Sequence, residues 1–433
     1  MRTASRLSKK AFMGKKVLVA GGGIIGLSCA WYLNQDGHDV TVVDQSKLID
    51  GCSFGNAGMI VPSHFIPLAA PGMVSKGIRW MFNSRSPFFV RPRLSMDLMK
   101  WGWEFLRHAN AKHVDHSIPA LKELSLLGKK CYQEWDRTMP FRFGYEERGL
   151  LMLYKDQHTA EEEKETAELA NQIGIEARVL DRHQVQELEP DVRVDVLGGV
   201  YFPGDAHLNP RTLVENLIST LRSRGVTFLE EHTIDGFEFS GKEVRGVRLK
   251  NANASEVEVK CDELVLATGS WSGLVGKQLK LSMPMQAGKG YSFTLPDVEK
   301  NVRIPSIFLE ARVAVTPMGR TLRFGGTMEI VGVDHSINME RVRGIVDSIP
   351  KYYPEMQVPV PQVDSIWHGL RPCTPDGLPY IGRSSKYSNL VVATGHSMMG
   401  LSLAPATGLL ISELVGGKNL SMGIGAFDPE RLQ

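Results

Sequence analysis

The stretch Val17-Leu18-Val19-Ala20-Gly21-Gly22-Gly23-Ile24-Ile25-Gly26 limits the fold more than any other part of the chain. Its apolar start suits a strand buried on both faces. A turn with the spacing Gly21-x-Gly23-x-x-Gly26 follows directly and opens a helix through Leu27 to Leu33. In such a turn the first glycine makes the bend, the second lets a pyrophosphate approach the backbone, and the third lets helix and strand pack closely. Phosphate would meet free N–H groups at the positive end of the helix. A second strand, Asp39 to Val43, ends at Asp44, the acid expected on a ribose hydroxyl. These features predict a parallel α/β dinucleotide site with contacts at Gly21, Gly23, Ile24, Ile25, Gly26, Asp44 and Gln45. The motif leaves FAD and NAD both open.

At 433 residues the chain is long enough for two or three domains, and 42% hydrophobic with 23% charged residues is ordinary for a globular protein. A net charge of +2 gives no support for bulk nucleic-acid binding. Cys29, Cys52, Cys131, Cys261 and Cys373 are scattered, without metal-ligand or disulfide spacing, and read as reduced thiols; no metal site is expected. Residues 1–13 read as a flexible basic extension rather than a secretory signal, because no apolar core follows their charges. No apolar run approaches the length of a bilayer-spanning helix. A cytoplasmic protein is expected, peripheral at most on the inner face of a membrane.

Beyond the second strand, residues 50–59 are small and glycine-rich, so Ser53, Asn56, Ala57, Gly58 and Met59 suit a loop running along a flat cofactor. Residues 78–108 alternate aromatics (Trp80, Phe82, Phe88, Phe89, Trp101, Trp103, Phe105) with Arg79, Arg85, Arg91, Arg93, Lys100 and Arg107. This pattern fits either a membrane–water interface or a helix packed on the core with solvated cations. Helices are expected over 119–136 and 158–173, a strand pair over 143–154, and a short helix from Gln184 to Glu189. Asn209 and Pro210 mark a capped helix running to Ser223. Residues 236–249 form a hairpin, and the strand Cys261 to Ala267 carries backbone into Thr268, Gly269 and Trp271 beside a ligand. Residues 285–330 alternate as in an antiparallel sheet. The tail runs from Trp367-His368-Gly369-Leu370-Arg371 to a strand, then Gly395-His396, then an apolar helix from Leu401.

Taken together, these pieces resemble the FAD-dependent amino-acid oxidoreductases of the D-amino-acid oxidase superfamily, most closely the bacterial D-amino-acid dehydrogenase branch. The likeness covers residues 14–420 and rests on the glycine turn, Ser53-Phe54-Gly55-Asn56-Ala57-Gly58, Ala267-Thr268-Gly269, Gly290-Tyr291-Ser292, Gly369-Leu370-Arg371-Pro372-x-Thr374-Pro375-Asp376-Gly377 and Gly395-His396. It implies an α/β fold with an α+β substrate domain. A discontinuous Rossmann-like FAD-binding domain would take residues 14–62, 198–283 and 363–420, and a substrate domain with a mostly antiparallel sheet would take 63–197 and 284–362. It also implies non-covalent FAD, with Ile234 near adenine and Gly369, Gly395, His396, Met399, Gly400, Leu401 and Ser402 near the flavin. Cys373 is out of register with the cysteine that anchors flavin covalently in some members.

The implied reaction is oxidation of a small amino acid, a D-amino acid or a cyclic imino acid of the proline or hydroxyproline type, by hydride transfer from Cα to flavin. Electrons would pass to a quinone or another acceptor, a membrane quinone being reached through residues 78–108. Arg371 would hold the substrate carboxylate, unless it pairs with Asp376. Tyr291 and Met328 are further candidates, and His396 is the preferred base among His64, His207, His368 and His396. Where glycine-oxidase-like relatives place a carboxylate-binding tyrosine, this chain reads Val313-Ala314-Val315, which leaves the second carboxylate contact open. The competing readings are an O2-using glycine or sarcosine oxidase, a flavin-free NAD enzyme and a non-catalytic flavoprotein partner.

Overall fold

The computed structural model describes residues 14–72 and 87–432. The basic extension 1–13 and the residues Arg79, Trp80, Phe82 and Arg85 of the aromatic–basic stretch lie outside them.

Lys16–Ala20 is an inner strand of a six-stranded sheet. The order is Tyr380–Arg383, Leu390–Thr394, Glu263–Leu266, Lys16–Ala20, Asp39–Val43, Thr227–Leu229. Pairing is parallel throughout except at Tyr380–Arg383. The uninterrupted apolar run is explained by burial on both faces. Val17 and Val19 pack with the helices Ile24–Gln35, Ala111–Thr138, Pro210–Ser223 and Gly400–Gly416. Leu18 and Ala20 point the other way, onto a three-stranded sheet of His232–Ser240, Glu243–Asn251 and Glu256–Lys260. The hairpin was legible from its turn residues, whereas its third strand carries largely exposed side chains and no apolar face to reveal it.

A second, nine-stranded sheet is mostly antiparallel, and its inner members include Gln286–Leu295, Thr321–Ile330 and Val313–Met318. Tyr291, Phe293, Val313, Val315 and Phe324 pack there with Val342, Ile345 and Ile349 of the helix Met339–Tyr352. The pairing of two strands joins residues across the domain boundaries expected at 198 and 363. Gly198–Phe202 pairs with Leu150–Tyr154, and Trp367–Cys373 pairs with Gln286–Leu295, so both belong to the second sheet. The strand pair expected over 143–154 is also corrected: only Leu150–Tyr154 is a strand, and the residues before it contribute one bridge, Glu146 to His207. Asn209 behaves as read, its Oδ1 accepting from the Arg211 and Thr212 N–H groups.

The segment Ser397–Gly416 is long and apolar enough to cross a membrane, yet 72% of its apolar window is buried within the protein. It is a core helix, apolar all round because neighbours surround it.

Candidate active site

A cavity of about 1180 Å³ runs from the glycine turn to the second sheet. At its first end the three motif glycines divide their roles. Gly21 has φ +107°, and a Cβ there would lie 2.3 Å from the Ala267 carbonyl oxygen. A Cβ on Gly26 would come within 1.8 Å of the Gly21 oxygen, so this glycine serves helix–turn packing and does not line the cavity. At Gly23 the nearest atom to a Cβ is Ser53 Oγ at 3.7 Å, and the space beyond is cavity. Asp44 accepts from Gly22 N–H at 2.7 Å and from Ser46 N–H and Oγ–H, which ties the turn to the end of the second strand. Ile24, Ile25, Gln45 and Ile234 line this end.

The loop 53–58 lies along the cavity, but its two polar side chains are engaged with protein. Ser53 Oγ accepts from Ile24 N–H at 3.0 Å, and Asn56 Oδ1 accepts from Gly58 N–H at 2.8 Å. The loop is pinned to the second sheet where Ser292 Oγ–H donates to the Gly55 oxygen and Arg323 donates to the Asn56 oxygen. Ala57 and Met59 line the cavity. Gly58 does not; its φ of +83° and its closeness to the Leu208 oxygen give it a purely structural role.

Ala267, Thr268, Gly269, Trp271 and Gly369 form another wall, stitched by a hydroxyl chain from Thr268 through Ser272 to Thr394. Gly395, Met399, Gly400, Leu401 and Ser402 bring the N-terminus of the Gly400–Gly416 helix to the cavity. No side chain among the described residues caps that helix, so its positive end is available to developing negative charge.

The candidate catalytic residues Arg371, Tyr291, Met328 and His396 all line this cavity. Arg371 lies across Gly290, where a Cβ would sit 2.2 Å from its Nη1, and Nη1–H donates to the Thr327 oxygen at 2.6 Å. Asp376 is occupied in a two-point pair with Arg431, at 2.6 and 3.0 Å. Arg371 therefore has no acidic partner among the described residues, and burial pushes its pKa down. A half-buried guanidinium facing a cavity without its own carboxylate is suited to receive one. Tyr291 shows the cavity its ring only: the hydroxyl donates to Glu329 Oε2 at 2.7 Å and accepts from Asn338 N–H at 3.1 Å. Met328 packs against Cys373, whose Sγ lies 3.9 Å from its Sδ. The Cys373 thiol is off the cavity wall, and burial raises its pKa.

His396 does not have the environment of a base. Thr407 Oγ–H donates to the Leu403 oxygen, so Thr407 accepts from His396 Nε2–H at 3.0 Å, and Nδ1 is buried without a partner among the described residues. Burial pushes the pKa down to about 3. Below pH 6.5 the unfolded chain takes up a proton that the fold refuses, so this residue's contribution is lost as pH falls from 6.5 towards 3. Asp205 and Glu189, both raised to about 7 by burial, act in the opposite sense. The total pH profile is thus not diagnostic, but a comparison of variants is. The stability difference between wild type and His396→Leu, read by urea unfolding of the apoprotein, should shift by about 2 kcal/mol in favour of the variant between pH 7.5 and pH 5. A constant difference would mean that His396 titrates normally.

Sequence reasoning passed over Arg312, which lines the cavity with φ +53° immediately before Val313-Ala314-Val315. It also missed the 3.2 Å pair of His335 and His368 at the wall near Trp271. Neither a left-handed backbone at arginine nor a contact between distant histidines has a local signature.

Residues 16–414 match the family described as DAO: FAD dependent oxidoreductase. The chain is 31% identical over 413 residues to a D-amino acid dehydrogenase of Granulibacter bethesdensis, covering 93% of this chain and 96% of that protein. It is 30% identical over 410 residues to one of Neisseria meningitidis, with the same coverage. Among solved structures it shares its fold with glycine oxidase from Geobacillus kaustophilus (TM-score 0.75, 21% identity, 96% of this chain and 99% of that one). It shares it also with L-proline dehydrogenase from P. horikoshii (TM-score 0.68, 20% identity, 96% and 97%). FAD fits the residues present: the cavity exceeds the roughly 300–1,000 Å³ of ordinary small-molecule sites, Gly23 opens into it, and two helix N-termini without side-chain caps of their own border it. The chain belongs to this family of FAD-dependent oxidoreductases.

Proposed function

We propose that this FAD-dependent oxidoreductase oxidises a small amino acid, a D-amino acid or a cyclic imino acid, at its Cα–N bond. The observation that carries the reading is Arg371: a half-buried guanidinium with no acidic partner among the described residues, in the same cavity as the glycine turn. Bound FAD supplies the two-electron acceptor. The chain supplies position. Arg371 binds the carboxylate through its planar fork. Leu68, Phe88, Met152, Ile307 and Met328 give an apolar wall suited to a small side chain or ring. The names of the Granulibacter and Neisseria relatives support the amino-acid class. An anaerobic flavin-bleaching screen against D- and L-amino acids, imino acids and N-methyl amines tests the reading, which fails if none of them bleaches the flavin.

For the electron acceptor we favour a membrane quinone over O2. The helix Met96–His108 turns Trp101 inward, where its Nε1–H donates to the Cys373 oxygen at 2.9 Å. Its outer face leaves Met96 (77%), Met99 (61%) and Trp103 (62%) exposed beside Lys100 and Arg107. Aromatic, apolar and basic side chains on one outward surface suit the headgroup level of a membrane. Trp103→Glu should lower the rate with quinone in anionic vesicles several-fold and leave the rate with a soluble dye unchanged. Hydrogen peroxide formed one-for-one with oxidised substrate would instead make the protein an oxidase.

A further inference from the structure

We infer that His64 takes the proton from the substrate's ammonium nitrogen, with Ser63 and Asp205 behind it as positioning residues. The inference rests on the amino-acid reading above and adds a group that the reading lacks. An α-ammonium has no lone pair with which to drive departure of the Cα hydride, so it must first become an amine. A side chain in the cavity that accepts that proton removes the need to select the scarce neutral amine from solution.

The cavity offers few groups for this. His396 is committed through Nε2–H to Thr407, Tyr291 is committed to Glu329, and His335 and His368 face each other. His232 contacts the Glu230 oxygen at the end of the cavity near Asp44. His64 differs because an acid stands behind it. The short strand Met59–Ile60 pairs antiparallel with Ala206–His207, which carries residues 61–64 past Asp205. Ser63 N–H donates to Asp205 Oδ1 at 3.1 Å and Ser63 Oγ–H donates to Oδ2 at 2.5 Å. Asp205 is 1% exposed. With its one proton given to the carboxylate, Ser63 Oγ can only accept across its 3.1 Å contact with His64 Nδ1. Nδ1 then carries the hydrogen and Nε2 the lone pair. This Asp–Ser–His chain fixes a tautomer much as a carboxylate fixes the histidine of a hydrolytic triad.

The charges around His64 explain how it switches. Burial, and after it the charge of Arg312 on the wall beside it, hold the imidazole neutral, with a pKa of about 4. A substrate carboxylate held at Arg371 adds negative charge to the same cavity and opposes that repulsion. Burial raises the Asp205 pKa to about 7, and the two Ser63 hydrogen bonds and then Lys129 oppose that rise and favour the ionised form. One ammonium N–H bond breaks and one Nε2–H bond forms; no electrons move in this step, and the neutral amine remains. The imidazolium is stabilised through Nδ1–H, Ser63 and the Asp205 carboxylate, and it returns its proton to water after product leaves.

The test is the rate of anaerobic flavin reduction in the holoenzyme as a function of pH. His64→Gln should retain FAD and bind a carboxylate inhibitor lacking the amine as wild type does. It should lose about 10²-fold in rate at pH 7 and recover towards wild type near the pKa of the free substrate's ammonium. Ser63→Ala should shift the profile in the same direction by less, and it stands in for Asp205→Asn if that variant does not fold. In the apoprotein above pH 7, 15N spectra should show His64 protonated at Nδ1, a state that Ser63→Ala releases. An unaltered profile, an equal fractional loss at every pH, or the Nε2–H tautomer would overturn the assignment. A wild-type flavin that no amino or imino acid reduces would overturn the amino-acid reading and this assignment with it.

Discussion

Arg371→Ala is expected to give a folded, yellow protein whose apparent affinity for its carboxylate substrate falls by about 10²–10³-fold. The size follows from the bonds removed: two charge-assisted hydrogen bonds at about 1.5–3 kcal/mol each, less what water restores. Folding should survive because Arg371 gives the protein little in return for its burial. The guanidinium's one hydrogen bond among the described residues runs to the Thr327 oxygen, and Asp376, its alternative partner, is held by Arg431. Removing a half-buried cation that lacks a carboxylate partner among the described residues relieves part of a desolvation cost rather than breaking an ion pair. Arg371→Lys should fall between, since it restores the charge without the planar fork. Titration of the bleached fraction against substrate reads both variants. A substrate analogue without a carboxylate should bind wild type and Arg371→Ala equally weakly. Unchanged affinity in Arg371→Ala would remove this residue from the site.

What could be read from the chain follows the range of the forces involved. The glycine turn was legible because its constraints are local: Gly21 must bend and Gly26 must admit the Gly21 oxygen, all within six residues. The Asn209–Pro210 start was legible for the same reason. Strand partners were not. Alternation fixes which face of a strand is apolar and leaves its neighbour unspecified, so Gly198–Phe202 and Trp367–Cys373 were placed with the wrong sheet. The site divides in the same way. Arg371 stands in a recognisable motif, but its lack of an acidic partner depends on Arg431, which reaches Asp376 from 55 residues away. Asp205 meets Ser63 across 142 residues of sequence, through a pairing of two very short strands that no periodicity could reveal. His396 looked like a base because a histidine beside a flavin suggests one. Its Thr407 contact and its burial, both products of the core helix, decide otherwise.

Gly23→Val should give a protein that folds and stays colourless, and the reasons for both halves lie at one atom. The backbone at Gly23 has φ −69° and ψ 175°, extended values that valine adopts without strain. A Cβ there meets no backbone, only Ser53 Oγ at 3.7 Å, so the fold is not crowded. The branched side chain instead fills the space in front of the helix N-terminus, where phosphate must approach the N–H groups. FAD affinity should fall by at least about 10³-fold, the cost of losing a pyrophosphate seat worth about 4 kcal/mol or more. Wild-type apoprotein should gain about 2.7 kcal/mol of stability with FAD at 100 times its Kd, and Gly23→Val should gain nothing at the same concentration. The neighbouring glycine supplies the contrast. Gly26→Val would drive a side chain into the Gly21 carbonyl, 1.8 Å from the Cβ position, and should unfold the domain whether or not FAD is added. Gly23 and Gly26 belong to one motif and one turn of helix, yet one guards the cofactor's space and the other the fold's. A Gly23→Val protein that purifies with a full complement of FAD would mean that the pyrophosphate lies elsewhere in the cavity, and the orientation argued for everything above it would have to be reversed.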